Sequence, residues 1–164
     1  MRPEPIGLKE FMDYDPDTGV FTWKKHRSQT ATPGKEVACK DHKGYIILVW
    51  NRHNYRAHHV AWWWVTGEMP KGEIDHKNNI RHDNRFCNLR EASSTQNNHN
   101  RLKPVTNTSG VKGVNWHKHR GAWVARVTVH GRRVHLGYFA RLSAAERAVR
   151  DAREYLHGEF CNHG

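Results

Sequence analysis

The stretch GEIDHKNNIRHDNRFCNLREASSTQNN, residues 72–98, places an Asp-His pair at the end of a short apolar approach. A polar, Asn-rich loop follows, and Asn88-Leu89-Arg90 then leads into a second Asn cluster at Asn97 and Asn98. This order suits one metal ion held by an aspartate and a distant side chain, with a histidine beside it to activate water. Asp and Asn oxygens are hard donors and suit Mg²⁺ or Mn²⁺ better than zinc. Asp75 and His76 are neighbours, so on a strand they point to opposite sides. One can then bind metal while the other faces a substrate phosphate.

The surrounding composition tells what such a unit would act on. The chain has 164 residues, only 37% of them hydrophobic, with a mean hydropathy of −0.92. That is thin for one deep core and favours two small modules. Net charge is +11 and the pI is near 9.9, with 14 histidines besides, a surface suited to a polyanion. The charge is uneven: residues 1–100 hold 15 Lys and Arg against 12 Asp and Glu, whereas residues 101–164 hold 12 against 4. The electrostatic footprint therefore belongs to the C-terminal third. Cys39, Cys87 and Cys161 form no CxxC pair, which argues against a disulfide scaffold or a four-cysteine zinc site and for a reducing compartment. No apolar run approaches 18 residues and no hydrophobic signal core opens the chain, so a soluble, cytoplasmic protein without membrane contact is expected.

Along the chain, IGLKEFM (6–12) suggests a short amphipathic helix. Asp15-Pro16-Asp17-Thr18-Gly19 reads as a turn feeding a strand over Val20–Trp23. Residues 24–43 form a basic loop, and Gly44 to Trp50 is strongly β-prone, with Asn51 to Asn54 turning it into a hairpin. HHVAWWWVTGEMP then changes period, as a short buried helix stopped by Gly67 and Pro70 would. Its three successive tryptophans cannot share one face, so at least one should lie on a rim. Residues 101–109 carry no periodicity and place a linker at 103–109. Beyond it VKGVNW, AWVARVTV and RRVHLGYF read as three strands, the last two joined by a tight turn at His130-Gly131. A helix follows, with Ser143 and Glu146 as a capping box, an apolar stripe of Ala145, Ala148, Val149, Ala152 and Leu156, and Gly158 to end it. The fold class is α+β, in two parts.

His59-Val60-Ala61, Ile74-Asp75-His76, Asp83-Asn84-Arg85, Asn88-Leu89-Arg90 and Gln96-Asn97-Asn98 together resemble the HNH endonucleases, especially the phage and intron-encoded nicking type. Twelve residues separate His76 from Asn88 and 21 separate it from Asn97. The resemblance implies a ββα-metal core over 58–100, preceded by a β-rich part over 1–57, in a nuclease domain spanning 1–102. It implies that His76 is the general base, that Asn88 braces the loop holding it, and that Asp75 and Asn97 hold one divalent ion, Mg²⁺ or else Mn²⁺. The third position of the family name is here Asn97 and not histidine, which argues against a multi-histidine zinc site.

Ser109-Gly110-Val111-Lys112-Gly113-Val114, Trp123-Val124-Ala125, Leu136-Gly137-Tyr138-Phe139, Ala144-Ala145-Glu146, Tyr155-Leu156-His157-Gly158 and Asn162 resemble the plant ethylene-response-factor (apetala-type) DNA-binding domain. That resemblance implies an ERF-like module over 110–164, a three-stranded antiparallel sheet on one helix whose sheet enters the major groove. Its reading face would carry Lys112, Asn115, His117, Arg126, Thr128, Arg133 and His135, while Lys118, Arg120 and Arg132 at turns would meet phosphates. The combination implies a homing-type enzyme that acts on double-stranded DNA as a monomer or weak dimer, needs no small-molecule cofactor, nicks one strand, and works in a host cytoplasm if phage-encoded. The competing reading is a sequence-specific DNA-binding regulator with an inactive nuclease fold.

Overall fold

β1 (Met12–Asp15) and β2 (Val20–Trp23) pair antiparallel in the computed structural model, which describes residues 3–164. The first two residues of the expected range 1–102 lie outside the described residues. The connecting turn follows from its residues. Asp15 Oδ1 accepts from the backbone N–H of Asp17 at 2.9 Å, and Gly19, at φ 75°, returns its own N–H to the Asp15 carbonyl at 2.8 Å. Ahead of it the expected 6–12 helix contracts to α1 (Leu8–Phe11), because Gly7 is left-handed and Met12 already extended.

A second hairpin joins β3 (Ile47–Trp50) to β4 (His53–Arg56). Its turn is tighter than Asn51 to Asn54. Only Asn51 and Arg52 form it, both at positive φ (45° and 64°), the conformation whose twist matches paired strands. α2 (Ala57–Thr66) starts directly from β4 and stops at left-handed Gly67, whose N–H caps the Trp63 carbonyl. Of the three tryptophans Trp63 is buried, while Trp62 and Trp64 pack partly exposed against the same core. Trp64 meets Tyr14 and Phe21 edge-on, and Trp62 lies 5.6 Å from the Phe86 ring. β5 (Glu73–His76) and β6 (Leu89–Ala92) form the third antiparallel pair, with Asp75 opposite Arg90 and His76 opposite Leu89. Leu8, Phe21, Leu48, Tyr55, Val60 and Ile74 close one core beneath these elements. Each such apolar side chain taken from water stabilises by about 1.5–3 kcal/mol.

These elements form one compact unit, Met1–Ala92, and the remaining chain a second, Ser93–Gly164. The second opens with α3 (Ser94–Asn100), whose N-cap Ser93 forms a reciprocal capping box with Gln96. Residues 103–109 lie inside this unit and are tied to it: Lys103 donates to the Gly110 carbonyl, and Ser109 to the carbonyls of Val111 and Val114. A three-stranded antiparallel sheet follows in the order β7 (Val114–His117), β8 (Ala122–Val129), β9 (Arg132–Phe139). His130 and Gly131, at φ 47° and 76°, make the expected two-residue turn.

α4 (Leu142–His157) packs on the sheet through Ala145 and Val149, which with Val114 and Ala125 are fully buried. The Ser143–Glu146 capping box does not form. The helix starts two residues earlier than a Ser143 cap requires, because Leu142 packs against the core; Arg141 is the N-cap and no side chain caps it. Nor is the buried face wholly apolar, since Arg153 is buried with Ala145 and Val149.

Candidate functional site

His76 closes β5 and is buried, 5% exposed. Its Nε2 lies 3.4 Å from Asn84 Oδ1. Taking that oxygen as the acceptor puts the ring proton on Nε2 and makes Nδ1 the basic nitrogen. Burial lowers the His76 pKa from its ordinary value, only partly opposed by the Asn84 bond and the carboxylates of Asp75 and Asp83. The ring is therefore neutral at neutral pH and able to accept a proton. Beneath it His58, also buried, packs edge-on at 4.8 Å between ring centroids, with Tyr45 5.1 Å from His58 and 6.0 Å from His76. Burial holds His58 far below the usual imidazole range, so it supports the ring as a neutral aromatic.

The loop between β5 and β6 is held by side chains that only the folded chain brings together. Asn88 Nδ2 donates to the Asp83 carbonyl at 2.9 Å and to Asn78 Oδ1 at 3.0 Å, while Asn88 Oδ1 accepts from the Asn78 N–H at 3.1 Å. Arg85 binds Asp83 through Nε and Nη2, at 2.8 and 2.6 Å, and this pairing above all holds the Asp83 carboxyl down to about 2. From the N-terminal hairpin, the Tyr14 hydroxyl donates to the Asn84 carbonyl at 2.7 Å, and the Phe86 N–H donates to the Pro16 carbonyl. Gly19 packs directly against the backbone of Asn84 and Arg85, where a Cβ would sit 2.5 and 2.3 Å away. The first hairpin is thus the footing of the loop that carries Asn84 to His76.

Asp75 is buried beside His76, and both Nε and Nη2 of Arg90, its partner across the strands, donate to Asp75 Oδ2 at 3.0 and 2.9 Å. Arg90 is a functional candidate that sequence spacing alone did not single out. The signal was strand register, which sets residues 75 and 90 opposite one another. Asp75, His76 and Asn88 share this site in the first unit; Asn97 lies on α3 of the second. Among the described residues no group of three or more His, Cys, Asp or Glu could hold a metal. An ion here would rely on the Asp75 carboxylate, amide oxygens, water and substrate phosphate, a donor set that fits a hard divalent cation.

In the second unit strand register decides which candidates share a face. Asn115, His117, Arg126, Thr128, Arg133 and His135 alternate with helix-facing Val114, Ala125 and Val127, and so lie together on the outer side of the sheet. Arg132 pairs with Val129 on the other parity, and Lys118 and Arg120 form a 3-10 turn after β7. Tyr138 joins the outer face although the alternation counted back from Phe139 to Arg133 sets it opposite His135. A bulge opposite Ala125/Arg126 inserts Leu136 as an extra residue and inverts the parity. The Tyr138 ring meets His117 at 5.4 Å and His135 at 4.8 Å, and the Arg120 guanidinium lies 4.5 Å above it. Lys112 departs from the reading face. Its Nζ donates inward to the carbonyls of His99, Arg101 and Asn162, and burial lowers its pKa to about 8. It is a brace within the second unit, because a half-buried ammonium needs its acceptors close at hand.

Residues 55–99 match a family model described as HNH endonuclease. Over 106 residues the chain is 36% identical to Protein 3.8 of Escherichia phage T7, an alignment covering 64% of this chain and 87% of that protein. No solved structure matches the chain. Among the described residues no helix is long and apolar enough to cross a membrane.

Proposed function

This chain belongs to one family with Escherichia phage T7 Protein 3.8 and carries an HNH endonuclease domain at residues 55–99, and on that premise we propose that it is a metal-dependent, site-selective DNA endonuclease of the nicking type. The observation that carries the reading is the buried, neutral imidazole of His76, next in β5 to Asp75, whose carboxylate acts on it electrostatically. His76 takes the proton of the attacking water through Nδ1 while the Asn84 contact fixes the ring. HNH nucleases generally use a divalent metal; when bound, it would supply charge neutralisation at the scissile phosphate. Asp75 and Asn97 are the ligands this reading assigns within a ββα-metal core, with Mg²⁺ the ion that hard oxygen donors favour. Arg90 holds the Asp75 carboxylate in one orientation, and Asn88 keeps the loop closed around His76.

In the same reading the second unit delivers the nuclease to chosen sites. Its ERF-like sheet would lay Asn115, Arg126, Arg133 and His135 along the major groove, with Lys118, Arg120 and Arg132 on flanking phosphates. A tethered groove reader raises the effective concentration of the nuclease at its target, which makes the enzyme homing-like and not indiscriminate.

Supercoiled plasmid bearing a cleavage site, incubated with Mg²⁺ or with EDTA, tests this. We expect relaxation to nicked circle by the wild type with Mg²⁺ only, and none by His76→Ala. Equal relaxation by His76→Ala would remove His76 from the mechanism. Tight binding with no relaxation under either condition would favour the regulator with an inactive nuclease fold.

A further inference from the structure

A cavity of about 370 Å³ lies wholly inside the second unit, between the end of α3, the 104–107 segment and the rim of the sheet. Lys112, Arg126, Arg133 and Arg153 line it, together with His99 and His157, and no carboxylate does. Arg153 is only 3% exposed, yet its guanidinium is half used. Nη2 donates to the Lys112 carbonyl, whereas Nη1 has no hydrogen-bond partner among the described residues. His99 and His157 stack face to face, 3.7 Å between centroids and 5° between planes. His157 Nε2 lies 3.0 Å from the Thr128 carbonyl, while His157 Nδ1 and His99 Nε2 are buried without hydrogen-bond partners among the described residues. A buried guanidinium N–H left unmade is costly, and so is a concentration of cationic side chains without a counter-charge. An anion entering here would relieve both.

We propose that this cavity is a phosphate-binding site, and that it seats one backbone phosphate of DNA lying across the outer face of the sheet. The first part stands on the cavity itself. The second rests on the DNA-binding reading above, and is favoured because Asn115, Arg126, Thr128 and Arg133 belong both to the outer face and to the cavity wall. Arg153 Nη1 supplies a fixed, charge-assisted hydrogen bond to a phosphate oxygen, and the stacked imidazoles, which burial keeps neutral, are drawn toward protonation by the same anion. A side chain on the helix face of the module would thereby hold the strand whose bases the sheet reads.

The test uses the full chain in EDTA, with no cleavage readout. Inorganic phosphate and a short DNA duplex are titrated separately at constant ionic strength, and the imidazole NMR signals of His99 and His157 are followed. Both probes should shift these signals saturably. Arg153→Gln should weaken phosphate binding about tenfold, the loss of one charge-assisted bond. Asn98→Asp, an exposed change that adds a carboxylate to the cavity wall, should weaken it comparably and serves if Arg153→Gln does not fold. Arg120→Gln, outside the cavity, should weaken duplex binding alone. Unmoved imidazole signals with both probes would overturn the site. A response to phosphate but not to duplex would overturn its assignment to DNA. A duplex response from a protein that leaves plasmid uncut supports the site and counts only against the nuclease reading.

Discussion

Asn88→Ala probes how far the order of one loop governs the chemistry of His76. The substitution removes three side-chain hydrogen bonds, two to Asn78 and one to the Asp83 carbonyl. Each contributes about 1 kcal/mol net, and partial rescue of the stranded groups by water brings the loss to about 2 kcal/mol. For a unit of this size that lowers the melting midpoint by roughly 10 °C. Asn88 touches neither Asp75 nor His76 in these bonds, so its effect on the reaction comes through the loop that presents Asn84 to the ring. Loss of such a supporting contact costs typically about 10- to 100-fold in activity. Asn88→Asp is the sharper control: it keeps the volume and the bond from the Asn78 N–H, but turns a carboxylate oxygen toward the Asp83 carbonyl and Asn78 Oδ1. It should be at least as damaging as alanine at neutral pH and recover in part on protonation. Thermal melts and single-turnover nicking, run below the melting range, measure the two effects separately. An Asn88→Ala protein with an unchanged midpoint and a rate within twofold of wild type would refute the argument.

Two further expectations follow from the same region. Gly19→Ala combines a left-handed φ of 75° with a Cβ pushed into the backbone of Asn84 and Arg85, so the first hairpin and the loop must separate. The left-handed conformation alone costs roughly 1 kcal/mol and the backbone collision adds to it, which urea unfolding would report as a lowered midpoint. Asp83, held at about 2 by Arg85, is a carboxylate whose folded pKa is depressed. Its contribution is complete above the unfolded value of about 4 and disappears as pH falls through 2. The shift corresponds formally to about 2.5 kcal/mol, and discounting for the half-exposed Arg85 leaves about 1 kcal/mol. The stability gap between wild type and Asp83→Asn should therefore be constant from pH 5 to 8 and close between pH 4 and 2. A gap that instead widened in acid would reverse the assignment.

Local chemistry made much of this fold readable. The Asp15–Gly19 turn, the stop at Gly67, the His130-Gly131 turn and the end of α4 at Gly158 each depend on what one or two residues allow the backbone to do. The long-range relations were hidden. That Tyr14 serves Asn84 depends on two segments 70 positions apart meeting. The pairing of Arg90 with Asp75 depends on strand register, and the inward turn of Lys112 on three carbonyls from distant segments. The Ser143–Glu146 motif misled because a capping box needs a helix start that packing of Leu142 set elsewhere, while Ser93 and Gln96 formed the box at α3. The β9 bulge hid Tyr138 because alternation holds only while neither strand carries an extra residue.

The passage from Ala92 to Ser93, where one compact unit gives way to the next without a spacer, bears on how such a protein can be inherited. Asn100 is buried and bonded to Asn162, and His99 lies against His157, so α3 is rooted in residues that arrive at the far end of the chain. A recombination joint in the Pro- and Thr-containing stretch at 103–109 would deliver α3 to a new host stripped of these partners. Yet the HNH match runs on through residue 99, past the boundary and into that helix. Exchange of the C-terminal segment at this point would separate α3 from the residues that anchor it. A cut anywhere between α3 and Asn162 should therefore leave a helix that the HNH match includes without its footing.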